Sequence, residues 1–127
     1  MEIVRGHADR PPSEQRTATF TGTVFADPLR SGPDVTMASV FFAPGSRTFW
    51  HSHEKGQILV VTAGAGLVCS IGGVPQVLHP GDAVWVPPGE AHWHGGGPET
   101  YLVHLAISLG RTDWREAVAD DAYRARS

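Results

Sequence analysis

Between Thr17 and Gly110 the chain is a succession of short apolar runs, each closed by turn residues. TATFTGTVFAD is rich in Thr, Val and Phe and alternates in part; the loop DPLRSGPD follows; VTMASVFFA is a β-type run stopped at Pro44-Gly45. TFWHSH comes next, then QILVVTA up to Gly64, GLVCSI up to Gly72-Gly73, VPQVLH up to HPGD, AVWVP up to PPGE, and TYLVHLAISL after Gly95-Gly96-Gly97. Branched and aromatic side chains suit a pleated, half-buried surface, and Gly and Pro punctuate it. The pattern predicts about eight or nine short strands and an all-β fold, a closed antiparallel barrel or jelly roll over residues 17–110.

The two ends read differently. Residues 1–16 are polar, carry Pro11 and Pro12, and are expected to form an N-terminal arm. Residues 112–126 are expected to form a short C-terminal helix laid on the barrel. Thr112 or Asp113 would cap it, Glu116 stands three beyond Asp113 as in a capping box, and Trp114, Val118 and Ala122 fall on one face. Its charged remainder, Arg115, Asp120, Asp121, Arg124 and Arg126, reads as a solvated face. With no internal repeat or linker, residues 1–127 are read as a single domain.

Composition narrows the function classes. The 127 residues are 41% hydrophobic and 18% charged, which is globular, and the longest apolar stretches are strand-sized. The start MEIVRGHADRPP lacks the basic then apolar pattern of a signal peptide, so a cytoplasmic protein is expected. Ten basic against thirteen acidic residues leave a formal charge of -3, with no basic field to hold nucleic acid or a membrane surface. A lone cysteine, Cys69, rules out an intramolecular disulfide and reads as a small apolar strand residue.

The candidate chemistry lies in the histidines, six of whose seven positions fall between 51 and 104. His51 and His53 are two apart, as are His92 and His94. On an extended strand such residues project to one face, so each pair turns two imidazoles to a shared point. One such pair alone reads more readily as surface or hydrogen-bonded histidines; two pairs, each entered through Pro-Gly turn chemistry, point to an imidazole metal site.

These residues carry a resemblance to the small single-domain cupins. Their first motif, G-x5-H-x-H-x3,4-E-x6-G, reads here as Gly45, His51, His53, Gln57 and Gly64. The second, G-x5-P-x-G-x2-H-x3-N, reads as Gly81, Pro87, Gly89 and His92, with Gly96 at the asparagine position. The departure at Gln57 has a chemical consequence. Three neutral imidazoles and a carboxamide leave a divalent ion's charge uncompensated, which strengthens it as a Lewis acid and disfavours its oxidation.

A longer match, in FTGTVFADPL, TFWHSHEKGQILVVTAGAG, PGDAVWVPPGEAHWHG and HLAIS, resembles the bacterial manganese-dependent cupin hydroxynitrile lyases. That resemblance implies a metal held by His51, His53, Gln57 and His92, with His104 in catalysis and His94 assisting it. It implies a substrate pocket bordered by Ala38, Val40 and Ser108, where Ser108 stands in place of a longer glutamine. The implied reaction is reversible cleavage of a cyanohydrin such as mandelonitrile into an aldehyde and hydrogen cyanide. The implied ion is divalent, Mn2+ before Fe2+, Ni2+ or Zn2+, and the implied assembly a homodimer or homotetramer. Two other readings compete: a cupin dioxygenase or other metal-dependent oxidoreductase, against which the missing carboxylate argues, and a non-catalytic small-molecule-binding cupin, against which His94 and His104 argue. His79 at the turn HPGD and Trp50, Trp85 and Trp93 are read as structural.

Overall fold

The structure, a computed structural model, describes residues 1–6 and 11–125; residues 7–10 of the expected arm and 126 of the expected helix lie outside the described residues. Among the described residues thirteen strands and one helix follow in order: β1 (Glu14–Arg16), β2 (Phe20–Thr21), β3 (Val24–Arg30), β4 (Val35–Phe42), β5 (Arg47–Thr48), β6 (His51–His53), β7 (Gln57–Gly64), β8 (Gly66–Ser70), β9 (Gln76–Leu78), β10 (Ala83–Val86), β11 (His92–Gly96), β12 (Leu102–Leu109), β13 (Thr112–Trp114) and α1 (Asp120–Arg124). They form two antiparallel sheets. One runs β1-β3-β4-β12-β7-β10; the other runs β13-β6-β11-β5-β2, with β8 joined to β11 and β9 to β8.

Alternation along the strands divides the interior from the outside. In β12, Leu102, His104 and Ala106 are buried while Val103, Leu105 and Ile107 are half-exposed. Inward positions of β3, β4, β7 and β12 supply a core of Val24, Val40, Phe42, Val61 and Leu102 inside the barrel. In β11 the same alternation turns His92 and His94 inward and Trp93 outward. Trp93 joins Leu67, Cys69, Val118 and Tyr123 in a second core, on the outer face of the second sheet. Full burial of an aromatic or aliphatic side chain of this size stabilises by about 1.5–3 kcal/mol. Arg47 fastens the cover: its guanidinium donates to Val118 O at 2.7 Å, pairs with Asp120 at 2.8 Å, and lies 4.6 Å from the centre of the Tyr123 ring.

Three expectations about the elements need correction. The helix is Asp120–Arg124 and not 112–126, and its N-cap Ala119 has no side-chain cap. Thr112, Asp113 and Trp114 instead pair with His53, Ser52 and His51, adding a strand beside β6. Asp113, expected in a capping box, pairs with Arg111 at 2.9 Å. Backbone pairing along β6 outweighs a local capping signal worth only about 1 kcal/mol. At the other end, the last three residues of the arm form β1 and pair with Val24–Ala26 of β3. Finally, DPLRSGPD is not all loop: β3 continues to Arg30 through a register shift between Pro28 and Arg30, beyond the point where β1 pairs with it.

Candidate active site and metal centre

A cavity of about 480 Å3 opens inside the barrel, the size of a small-molecule site. Its walls carry His51, His53, Gln57, His94, His104 and Ser108. Ala38 and Val40 line it too, together with Phe20, Phe42 and Trp114.

Turn chemistry aims the histidine strands. Glu90 N–H donates to Pro87 O at 3.2 Å across Pro88 and Gly89, and Gly89 holds φ +76°, which Pro at the second and Gly at the third turn position favour. Gly89 N–H donates to His53 O at 2.9 Å, tying this turn to β6. In the ladder His92 stands opposite His51, and Ser108 opposite Gln57.

Each of three imidazoles is held by its Nδ1. His51 Nδ1–H donates to Phe49 O at 2.9 Å and His92 Nδ1–H to Glu90 O at 3.0 Å; His53 Nδ1 meets Thr112 Oγ1 at 3.0 Å. The carbonyl partners fix the tautomer and orientation of His51 and His92 and leave each Nε2 with its lone pair, while the Thr112 hydroxyl fixes the orientation of the His53 ring. His51, His53 and His92 each offer a ligand atom, all within 4.8 Å of one another, and all three residues are buried. His53 Nε2 is buried without a hydrogen-bond partner. His92 Nε2 faces Gln57 Oε1 at 2.9 Å. Because the one proton of a neutral His92 is on Nδ1, this is a meeting of two lone pairs, which a shared cation resolves. The donor set therefore fits a divalent metal.

Deeper in the wall, His104 Nε2 and His94 Nδ1 lie 2.9 Å apart, sharing one proton. Phe42 packs against both rings. His94 Nε2 and His104 Nδ1 are buried without partners, so the pair keeps one donor and one acceptor unused.

Residues 38–105 match the family described as Cupin domain. The chain belongs to the cupin family. This cupin is 53% identical, over 112 residues covering 83% of its length and 86% of the relative's, to a protein of Granulicella tundricola named (R)-mandelonitrile lyase. Among solved structures it resembles a cupin-like protein of Thermotoga maritima, with TM-score 0.80 and 35% identity over 97% of this chain and 96% of the other. A predicted oxalate decarboxylase of the same organism shares the fold, with TM-score 0.72 and 23% identity over 87% of this chain and all 100% of the other.

Burial sets the protonation of the cupin's histidines. It lowers the pKa of His51 and His94 well below the ordinary value and also lowers that of His92; His53 falls to about 4, again chiefly by burial. All are neutral at pH 7, as metal ligands and a general base require. Burial also takes His104 down to about 4. Since the unfolded chain holds this proton near pH 6.5 and the folded one does not, stability is present above pH 6.5 and is lost as pH falls toward 4. For metal-free protein, the loss from His104 alone reaches on the order of 3 kcal/mol. Denaturant unfolding at several pH values is expected to show a shallower acid slope in His104→Leu, and equal slopes would contradict the assignment.

Several residues act where the sequence did not place them. Thr112, read as a helix cap, holds His53. Trp114, read as a helix face, packs its ring against His51, tilted by 35° with centroids 4.6 Å apart, and lines the cavity. Ser108 lines the cavity, but its hydroxyl also accepts from Gln57 Nε2 at 3.0 Å. His79 is exposed, with its backbone N–H on Asp82, as a turn residue should be. Trp93 is fully buried packing, whereas Trp85 is 55% exposed on the outer face. Cys69 is buried and burial raises its thiol pKa, so it is an unreactive packing residue.

Proposed function

We propose that this single cupin domain is a metal-dependent hydroxynitrile lyase that reversibly cleaves cyanohydrins of the mandelonitrile type into an aldehyde and hydrogen cyanide. The observation that carries the reading is the arrangement of the buried histidines: His51, His53, His92 and Gln57 form a group suited to a cation, and the cavity lined by His51, His53 and Gln57 is also lined by a separate pair, His94 and His104, able to handle a proton. The likeness to the Granulicella tundricola protein supports it.

His51, His53, His92 and Gln57 would hold the ion, which we take to be Mn2+ in preference to Fe2+, Ni2+ or Zn2+. When bound, it supplies Lewis acidity that lowers the pKa of a substrate hydroxyl. His104, donating from Nε2 to His94 Nδ1, keeps a lone pair on Nδ1 and takes the hydroxyl proton there. The carbon–carbon bond to the nitrile then breaks, its electron pair leaving with cyanide while the carbonyl forms. His94 Nε2–H donates to the departing anion, and the proton held by His104 leaves with it as hydrogen cyanide. Phe20, Phe42 and Trp114 give the aryl group of the substrate an aromatic surround, and Ala38, Val40 and Ala106 leave room for it. Cyanide release from mandelonitrile, run beside oxygen consumption, tests the reading: release without oxygen uptake is expected. Metal-loaded protein that releases none across several cyanohydrins would sink it.

No helix among the described residues is long and apolar enough to cross a membrane; we place the protein in the cytoplasm. We also propose that it works as a homo-oligomer, a dimer or tetramer. Met37, Phe41, Ile58, Val60, Leu105 and Ile107, each apolar and only half-buried, occupy outward positions of three adjacent strands, with Ser39 among them. A surface of this kind is what a second copy of the chain covers. Ile107→Lys is expected to weaken association about 100-fold or more, because it leaves an unpaired charge in the interface. Light scattering after size exclusion checks it; an unchanged mass would refute this face as the interface.

A further inference from the structure

Gln57 is 3% exposed, and its carboxamide spans two polar neighbours. Oε1 lies 2.9 Å from His92 Nε2, and Nε2 donates to Ser108 Oγ at 3.0 Å. The two ends of an amide are unlike, and only the oxygen has lone pairs for a cation. Once Oε1 turns toward the histidines, the NH2 group must find an acceptor on the far side or stay unsatisfied in a buried wall, at a cost of about 1–3 kcal/mol. The next inward residues of the two strands are Leu59 and Ala106, whose side chains offer no acceptor. Ser108 stands directly opposite Gln57 in the β7–β12 ladder, and its one polar atom falls where the acceptor is required. A glutamate at position 57 would have two equivalent oxygens and no such need. The carboxamide and the hydroxyl thus form a matched pair across the sheet.

We propose that Ser108 is a positioning residue that turns the Gln57 carboxamide oxygen toward His51, His53 and His92 and so sets the affinity of the centre for a divalent cation. This rests on the metal-centre reading above. Ser108 acts through Gln57, and its hydroxyl lone pair serves the ligand amide before it serves any substrate in the cavity.

The experiment titrates metal-free protein with Mn2+ against a chromophoric chelator. Ser108→Ala is expected to bind Mn2+ about 10- to 100-fold more weakly, the usual cost of losing a group that orients a metal ligand. Ser108→Thr keeps the hydroxyl and is expected to stay within about threefold of the parent affinity, which separates loss of the acceptor from general damage to the strand. In a Gln57→Ala background, Ser108→Ala should add no further loss, because the partner through which it acts is gone. Parent-like Mn2+ affinity in Ser108→Ala, or the same loss in the Gln57→Ala background, would overturn the proposal. His53→Ala is titrated in parallel: if it also binds like the parent, the metal-centre reading fails, whereas if it alone loses the ion, only the role of Ser108 fails.

Discussion

His104→Ala is expected to retain its full complement of metal while kcat for mandelonitrile cleavage falls by about 100- to 10,000-fold, the range that a positioned general base contributes. The division follows from where the ring sits. His104 is fully buried on β12 and its hydrogen bond goes to His94 at 2.9 Å, whereas the imidazoles proposed to hold the ion stand on β6 and β11. Its Nδ1, the atom assigned to take the proton, has no competing partner. Removing the ring takes away the acceptor and leaves His51, His53, His92 and Gln57 with the partners that orient them. KM should move little, because the ring acts on a proton in transfer more than on the bound ground state. Metal content by atomic emission, measured beside the rate of cyanide release, checks the division. Metal loss as great as that of a ligand variant would contradict it.

His53→Ala is expected to fail at the earlier step. Its Nε2 is buried and unpartnered, and Thr112 holds its Nδ1 at 3.0 Å, so the ring is already oriented before any ion arrives. Loss of a direct ligand should weaken Mn2+ binding more than loss of an orienting partner does, by over about 100-fold, and bring cyanide release to background. A thermal readout gives the same answer independently of catalysis. An ion at 100 times its dissociation constant stabilises the parent by about 2.7 kcal/mol, and the variant at that concentration should gain almost none. An Mn2+-dependent rise in melting temperature equal to the parent's would remove His53 from the ligand set.

Much of this centre was legible along the chain, because its central devices are local. Two histidines separated by one residue share a face on any strand, and Pro-Pro-Gly before His92 dictates a turn by its own allowed dihedrals. Cys69 and Trp93 could be placed in packing for the same reason, from alternation within a short apolar run. The C-terminal segment shows where such reasoning fails. Thr112, Asp113 and Glu116 are good capping residues taken alone, yet they lie beside β6, whose backbone groups pair with Thr112–Trp114. Hydrogen bonding across a sheet depends on which strand lies alongside, and no window of sequence contains that information. The expected burial of Val118 still came about, at 2% exposure, but from an extended segment before a helix of five residues.

The roles of Thr112 and Ser108 divide along the same line. Sequence by itself determined an all-β cupin domain, the two inward histidine pairs, Gln57 in the carboxylate's place, and a formal net charge of -3. Those properties follow from strand periodicity, turn dihedrals and composition, each a function of residues close together in the chain. Only the tertiary structure decided that Thr112 holds a histidine 59 positions away and that Ser108 faces an amide 51 positions away. It alone set His94 against His104 and brought Trp114 to the cavity wall. The physical reason is that a hydroxyl or an imidazole has a reach of one hydrogen bond, about 3 Å, so its role is fixed by sheet register and not by its neighbours in sequence.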